Sequence, residues 1–255
     1  MDWGRAKNVL ILAFLMLNVL LGYQLWSEWR DQGSSSVDWT SLPPDTQQIM
    51  QEKNIRVEGK IPTETPEMRI LTFTLKKQPS KSDKAAEKTA IEPQPESRIV
   101  FYRKELESAL GGTIPDLKHY EYDQGWGNRE GVFVLNRMVD GYPMFDIRLE
   151  LYNSDQRIMA YRQDTIQTLS SEGSKDQQVL PAAQAVARLI DYNLQAGSVI
   201  KDIRLGYHGQ LFDTISAPSW RVLLESGEVY YVHAISGDVS TDKGTTLTSA
   251  NSNTE

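Results

Sequence analysis

The spacing of apolar and polar positions divides the chain into stretches of different period. Residues 9–26, VLILAFLMLNVLLGYQLW, are apolar all round: from Val9 to Leu21 only Asn18 is polar, and no charge falls between Lys7 and Glu28. A helix on the surface of a globular protein keeps a polar face at 3.6-residue spacing, which this stretch lacks. At about 1.5 Å of rise per residue it makes a helix roughly 30 Å long, about one bilayer core. A single transmembrane helix is therefore expected, with Gly22, Tyr23 and Trp26 at its far boundary. A cleaved signal peptide is the alternative, but YQLWSEW makes a poor cleavage site, so the expectation is an uncleaved anchor. Arg5 and Lys7 precede it, while Glu28, Arg30, Asp31 and Asp38 follow. That bias predicts residues 1–8 in the cytoplasm and residues 27–255 outside the cell membrane.

Beyond the anchor, residues 27–43 read as a spacer, small and polar over 32–41 (QGSSSVDWTS). In 44–77, Pro43-Pro44-Asp45 opens a helix predicted over 44–53, IRVEG at 55–59 reads as a short strand, and MRILTFTLKK at 68–77 reads as a clearer one. In the latter Ile70, Thr72 and Thr74 alternate with Leu71, Phe73 and Leu75. Residues 78–97 are rich in Lys, Ser, Glu and Pro with one Ile, too little apolar surface to offset their ordering entropy; a flexible linker or loop is expected.

Two α+β units follow. In 98–170, Ile99, Tyr102, Leu106 and Leu110 fall at helical spacing before the Gly111-Gly112 stop, and LKHYEYD at 117–123 alternates as a strand. An antiparallel meander is predicted over 129–169, turning at Asp140-Gly141 and at Asn153-Ser154-Asp155. Its second strand has Phe145, Ile147, Leu149 and Leu151 inward and Asp146, Arg148 and Glu150 outward. In 179–241 a helix over 179–195 has Pro181 in its first turn and Ala185, Val186, Leu189 and Ile190 inward. Strands at 199–209, PSWRVLLE and EVYYVHAI come next, the last two joined at Ser226-Gly227, with Ser236-Gly237 ending the sheet and 242–255 a disordered tail. The repeated order of helix, strand and hairpin reads as a weak internal repeat. The fold class is α+β: antiparallel sheets with packed helices behind one membrane helix.

Composition narrows the function classes. A net charge of −7 argues against nucleic acid, whose phosphates need a basic surface. The absence of cysteine excludes disulfides, thiolate metal sites and a Cys nucleophile. A large exported domain without disulfides suits a bacterial envelope, especially a Gram-positive one. Catalytic motifs do not emerge. His119, His208 and His233 have no HExxH, HxH or HxxxH partner and read as ordinary core or surface histidines. There is no G-x-S-x-G elbow; Ser80 and Ser171 read as solvated loop serines. GWGNREG at 125–131 reads as a β-turn connection rather than a phosphate cradle, and Asp140, Asp146 and Asp155 as turn or outward strand residues rather than paired carboxylates. No catalytic, cofactor or metal site is expected.

Two features point to contact instead. Trp126, between glycines, is a candidate exposed contact; Trp3, Trp26 and Trp29 bracket the membrane, and Trp220 starts a core strand. Asn18 is costly at mid-membrane without a hydrogen-bond partner. With Phe14, Gly22 and Leu25 it forms one helical face whose Asn18/Gly22 notch suits another helix, the alternative being a passenger Asn tolerated in lipid.

MDWGRAKNVLILAFLMLNVLLGYQLW resembles the opening of the YycI (WalI) family, and GYPMFDIRLELY and WRVLLESGEVYYVHAISGDV are similar to its two extracytoplasmic β-rich segments. The second segment with the helix at 181–195 also looks like a PepSY-type unit. The resemblance implies a non-enzymatic regulator of a sensor histidine kinase of the YycG (WalK) type, in a two-component system controlling the cell wall. It implies a YycH-like membrane protein as partner, with contact through transmembrane helices. The rival expectation is a PepSY-like inhibitor or chaperone acting on an envelope protease; the enzyme alternative is a tethered wall hydrolase.

Overall fold

The computed structural model describes residues 7–8, 11–21, 42–75, 88–92, 103–126, 128–129, 131–154, 157–209, 214–241 and 246–247. They fall into two units, Met1–Thr40 and Ser41–Glu255. In the first, residues 11–21 are helical (α1) and their side chains are exposed. Among the described residues no helix is long and apolar enough to cross a membrane. Residues 9–10 and 22–26 of the expected span, and the spacer up to Ser41, lie outside the described residues.

The second unit is α+β and mostly antiparallel. Its helices are α2 (Pro44–Glu52), α3 (Arg103–Leu110) and α4 (Ala182–Tyr192). Its early strands are β1 (Arg56–Val57), β2 (Glu67–Met68), β3 (Leu71–Leu75), β4 (Thr89–Ala90), β5 (Tyr120–Tyr122) and β6 (Asn128–Arg129). The first meander is β7 (Val132–Val139), β8 (Tyr142–Ser154) and β9 (Arg157–Gln163), followed by β10 (Ile166–Ser170) and β11 (Gln177–Gln178). The second is β12 (Val199–His208), β13 (Ile215–Leu224), β14 (Val229–His233), β15 (Val239–Thr241) and β16 (Thr246–Leu247).

The two predicted helix-and-meander units are joined into one sheet, of order β16-β15-β14-β13-β12-β8-β7-β5. Their joint is parallel and short: Tyr207 of β12 pairs with Met144 of β8. Gly206 makes it possible, because a side chain there would run into the Pro143 carbonyl and the Phe145 ring. Asp140 and Gly141 turn between β7 and β8 with φ of 51° and 84°, the left-handed pair that a two-residue hairpin loop demands. Past the joint, β7 and β8 fall out of step. Asn136 pairs with Arg148 but Arg137 with Met144, so Phe145, Asp146 and Ile147 bulge out of the ladder. That bulge aims β8 side chains toward the second meander.

Leu106 and Leu110 of α3 pack on Phe133, Leu135, Leu149, Leu151 and Ile158. Ala185, Val186, Leu189 and Ile190 of α4 are fully buried, as their spacing implies. Pro181 caps α4 rather than lying within its first turn. Trp220 Nε1 donates to the Leu180 carbonyl at 2.9 Å, tying β13 to the entry of α4.

Several local expectations change. Leu117–His119 is a 3-10 turn, not strand: Asp116 is left-handed (φ 54°) and its carbonyl accepts the His119 N–H at 2.9 Å. The strand expected at 68–77 breaks at Arg69-Ile70, where the Ile70 N–H bonds Ser174 Oγ at 2.9 Å; β2 then pairs with β11, and β3 with β10 and β13. The return strand of the first meander splits at Asp164-Thr165, and β10 leaves β8 for β3. Ser236-Gly237 turns the chain into β15 rather than ending the sheet, and Thr246–Leu247 of the expected tail pairs with β15. Strand pairing uses backbone groups, so a polar segment can join where an edge is open.

The stretch expected as a linker contributes β4, paired with β9 at Tyr161 and Ala160. Its one isoleucine, Ile91, is only 2% exposed and joins the α3 core. Lys88 sits 3.9 Å over the Tyr152 ring. Residues 76–87 and 93–102 lie outside the described residues. Ile91→Ala is expected to lower unfolding stability by about 2–4 kcal/mol; a urea titration showing a change below about 0.5 kcal/mol would mean Ile91 is no anchor.

Candidate functional site

The face of the sheet opposite α3 and α4 carries a buried charge network. Asn136 and Arg148 are cross-strand partners, as are Arg221 and Tyr231. Their sequence neighbours Leu135, Leu149 and Trp220 point to the helix side.

Arg221 sits mid-strand in the apolar run WRVLL and is 2% exposed. A guanidinium there is tolerated only if charge and hydrogen bonds meet it. Asp123, 1% exposed, does so from the end of β5 with a two-pronged contact: Nη1 bonds one carboxylate oxygen and Nη2 the other at 2.9 Å. Nη2 also donates to Asp202 of β12 at 2.8 Å. Asn136 Nδ2 donates to Asp123 at 2.7 Å, and the Trp126 N–H does so at 3.3 Å. Phe145 supplies a ring 4.8 Å from the guanidinium carbon. Gly125 lets the loop close over the network, since a Cβ there would lie 2.5 Å from Asp202 Oδ2.

Burial alone would raise the Asp123 carboxyl; the Arg221 hydrogen bonds and charge, with Asn136, outweigh it and hold it below the ordinary carboxylate value. Burial works against the Arg221 charge too, but its two carboxylates push its proton affinity above the ordinary value.

A second cluster adjoins the first. Arg148 Nε donates to the Phe145 carbonyl at 2.5 Å and Nη2 to the Tyr231 hydroxyl at 3.3 Å, with the guanidinium 5.1 Å over Trp126. His208 stacks on Tyr231, with centroids 3.6 Å apart and planes at 11°. Its Nδ1 lies 2.8 Å from Asp146, whose other oxygen accepts the Gly209 N–H at 2.8 Å. The β8 bulge thus supplies Phe145 and Asp146, and Arg148 directly after it, to three separate contacts. Chemically this is a set of ion pairs, hydrogen bonds and ring contacts that fixes the two meanders on each other. Among the described residues, no group of three or more His, Cys, Asp or Glu could hold a metal ion.

Of the residues singled out from sequence, Phe14 and Asn18 are exposed on α1, and Asn18 Nδ2 donates to the Phe14 carbonyl at 2.9 Å. One amide donor is thus used within the helix itself. Gly22 and Leu25 lie outside the described residues. Trp126 is not the exposed contact expected: it is half-buried against Phe145, Leu223, Val229 and Tyr231. Asp146 and Arg148, expected to face outward, are half-buried partners in the network. His119 lies on the surface 3.9 Å from Asp116. His233 Nδ1 accepts the Ile235 and Ser236 N–H groups, and burial depresses its proton affinity. Sequence reasoning missed Asp123, Asp202 and Arg221. The available signal was the arginine inside an apolar strand, which demands a carboxylate from elsewhere.

A family model described as YycI protein matches residues 40–235. No curated protein matches the chain.

Arg221→Met strands the buried Asp123 charge and is expected to cost about 3–5 kcal/mol at pH 7. Because the folded Asp123 carboxyl lies below its ordinary value of 3.8, its contribution is present above that value and lost as pH falls through the lower folded one. The deficit of the variant should therefore narrow below about pH 4. Urea unfolding at pH 7 and pH 3.5 checks both; a loss under about 1 kcal/mol at pH 7 would contradict the clamp.

Proposed function

The chain belongs to the YycI family, and on that footing we propose that it is a membrane-anchored, non-enzymatic regulator of a sensor histidine kinase. Family membership ties it to the WalK/WalR two-component system. The finer reading is that it acts on a WalK (YycG)-type kinase controlling cell-wall metabolism, together with a YycH-like membrane protein. The observation that carries this is the match over 40–235, which spans most of the sheet unit. The opening MDWGRAKNVLILAFLMLNVLLGYQLW adds the single-pass anchor, N-terminus in the cytoplasm and the remainder outside.

In this reading the sheet unit is the input and the helix the output. The Phe14/Asn18/Gly22/Leu25 face contacts kinase helices. Asn18 keeps its carbonyl oxygen as an acceptor for a partner, since the bond to Phe14 uses only its amide donor. Regulation requires that the contact differ between the kinase's signalling states, because equal affinity shifts nothing. A PepSY-like inhibitor of an envelope protease is the second reading, favoured by the helix-then-meander order of α4 and β12–β15.

Cross-linking to the kinase in membranes tests the proposal, using the full chain, its Asn18→Leu variant, and the full chain with residues 9–26 replaced by an unrelated membrane helix. The full chain should associate. Replacing the helix should abolish association, and Asn18→Leu should weaken it roughly threefold. No association by the full chain would contradict the kinase reading; full association after helix replacement would contradict the role of the helix.

A further inference from the structure

β12 has a gap along one of its edges. β13 runs beside it throughout on one side. On the other, β1 pairs in parallel at Val199 and Ile200, and β8 pairs at Tyr207. No described strand lies beside Asp202–Gly206 on that side. The gap is closed at both ends by close backbone contacts. A Cβ on Gly59 would lie 2.8 Å from the Lys201 carbonyl oxygen, and the Pro143 carbonyl presses on Gly206.

Between those ends the gap opens into a cavity of about 240 Å³. Ile203, Leu205 and Trp220 line it, with Pro62, Pro66 and Pro143. Prolines have no N–H, so Pro62, Pro66 and Pro143 cannot donate to the carbonyls of this edge. An unpaired strand edge is a ready template for an extended backbone. The volume falls below the roughly 300–1,000 Å³ of a drug- or cofactor-sized pocket. It suits a single large apolar side chain.

Charge at the rim selects the rest of the ligand. Glu64 lines the cavity, and Asp140 adjoins its lining residues Gly141 and Tyr142. Both are exposed, and neither has an ion pair or hydrogen bond among the described residues. Arg204, which also lines the cavity, is committed to Glu121 at 3.4 Å, and the neighbouring Arg69 to Asp176 at 3.4 Å. The unopposed charge is therefore negative on either side of an apolar hole.

We propose that this notch docks an extended, basic segment of another protein. The segment's backbone lies along the free edge at Ile203–Leu205, one apolar side chain fills the cavity, and flanking lysine or arginine side chains meet Glu64 and Asp140. This does not depend on the kinase reading, because it concerns the sheet unit alone and names its partner only by chemistry.

Full-length protein in nanodiscs of zwitterionic lipid is titrated against two fluorescein-labelled peptides, one alternating lysine and valine, the other glutamate and valine. The lysine peptide should bind and the glutamate peptide should not. Glu64→Lys and Asp140→Asn should each weaken binding about threefold to fivefold. Both positions are exposed, and asparagine tolerates the left-handed backbone at position 140 (φ 51°). Hydrogen exchange at Ile203–Leu205 should slow when the lysine peptide is bound. Equal binding of the two peptides, affinity unmoved by both variants, or unchanged exchange at Ile203–Leu205 would each overturn the proposal. Self-association of the protein alone that Glu64→Lys abolishes would make a second copy the occupant and overturn it too.

Discussion

Arg221 is the constraint from which the rest of the sheet unit follows. A guanidinium 2% exposed in mid-sheet loses its hydration, at a cost of several kcal/mol, unless fixed carboxylates replace the water. One carboxylate, Asp202, comes from the neighbouring strand of its own meander; the other, Asp123, comes from the end of β5, which pairs with β7 of the first meander. Satisfying one side chain thus requires both halves of the chain to be in place. Asn136, Gly125 and the Trp126 N–H are then constrained in turn, since each either bonds Asp123 or clears space for the pair. Such a network adds less to net stability than its bonds suggest, but any register that removes one partner strands a buried charge. It therefore acts on the choice of register.

The joint between the meanders shows why this matters. Parallel pairing there amounts to one residue pair, Tyr207 with Met144. That contact alone is a weak basis for one body. The network on one face and the bulged Phe145–Ile147 segment of β8 supply what the ladder does not.

Much of this was legible from sequence where the signal is local. The Asp140-Gly141 hairpin, the inward faces of α4 and of β8 beyond its bulge, and the helix opening at Pro44 follow from periodicity and turn chemistry. What could not be read depends on partners distant in sequence. Ile91 has no periodic neighbours, yet a groove beside α3 accepts it. Trp126 between glycines resembles an exposed loop tip until Phe145 and Tyr231 are placed beneath it. Asp146 alternates outward along β8, but the bulge turns it toward His208. A repeat of helix and meander reads as two bodies, because nothing local announces a parallel joint that needs Gly206 and one residue pair.

The central claim, that this chain sets the activity of a sensor kinase without chemistry of its own, is tested most directly by kinase autophosphorylation. The kinase and a YycH-like membrane protein are reconstituted in proteoliposomes with and without the full-length protein, and the rate is measured at equal kinase content. The account predicts a changed rate when the protein is present and bound. An unchanged rate with the protein demonstrably bound to the kinase would contradict it.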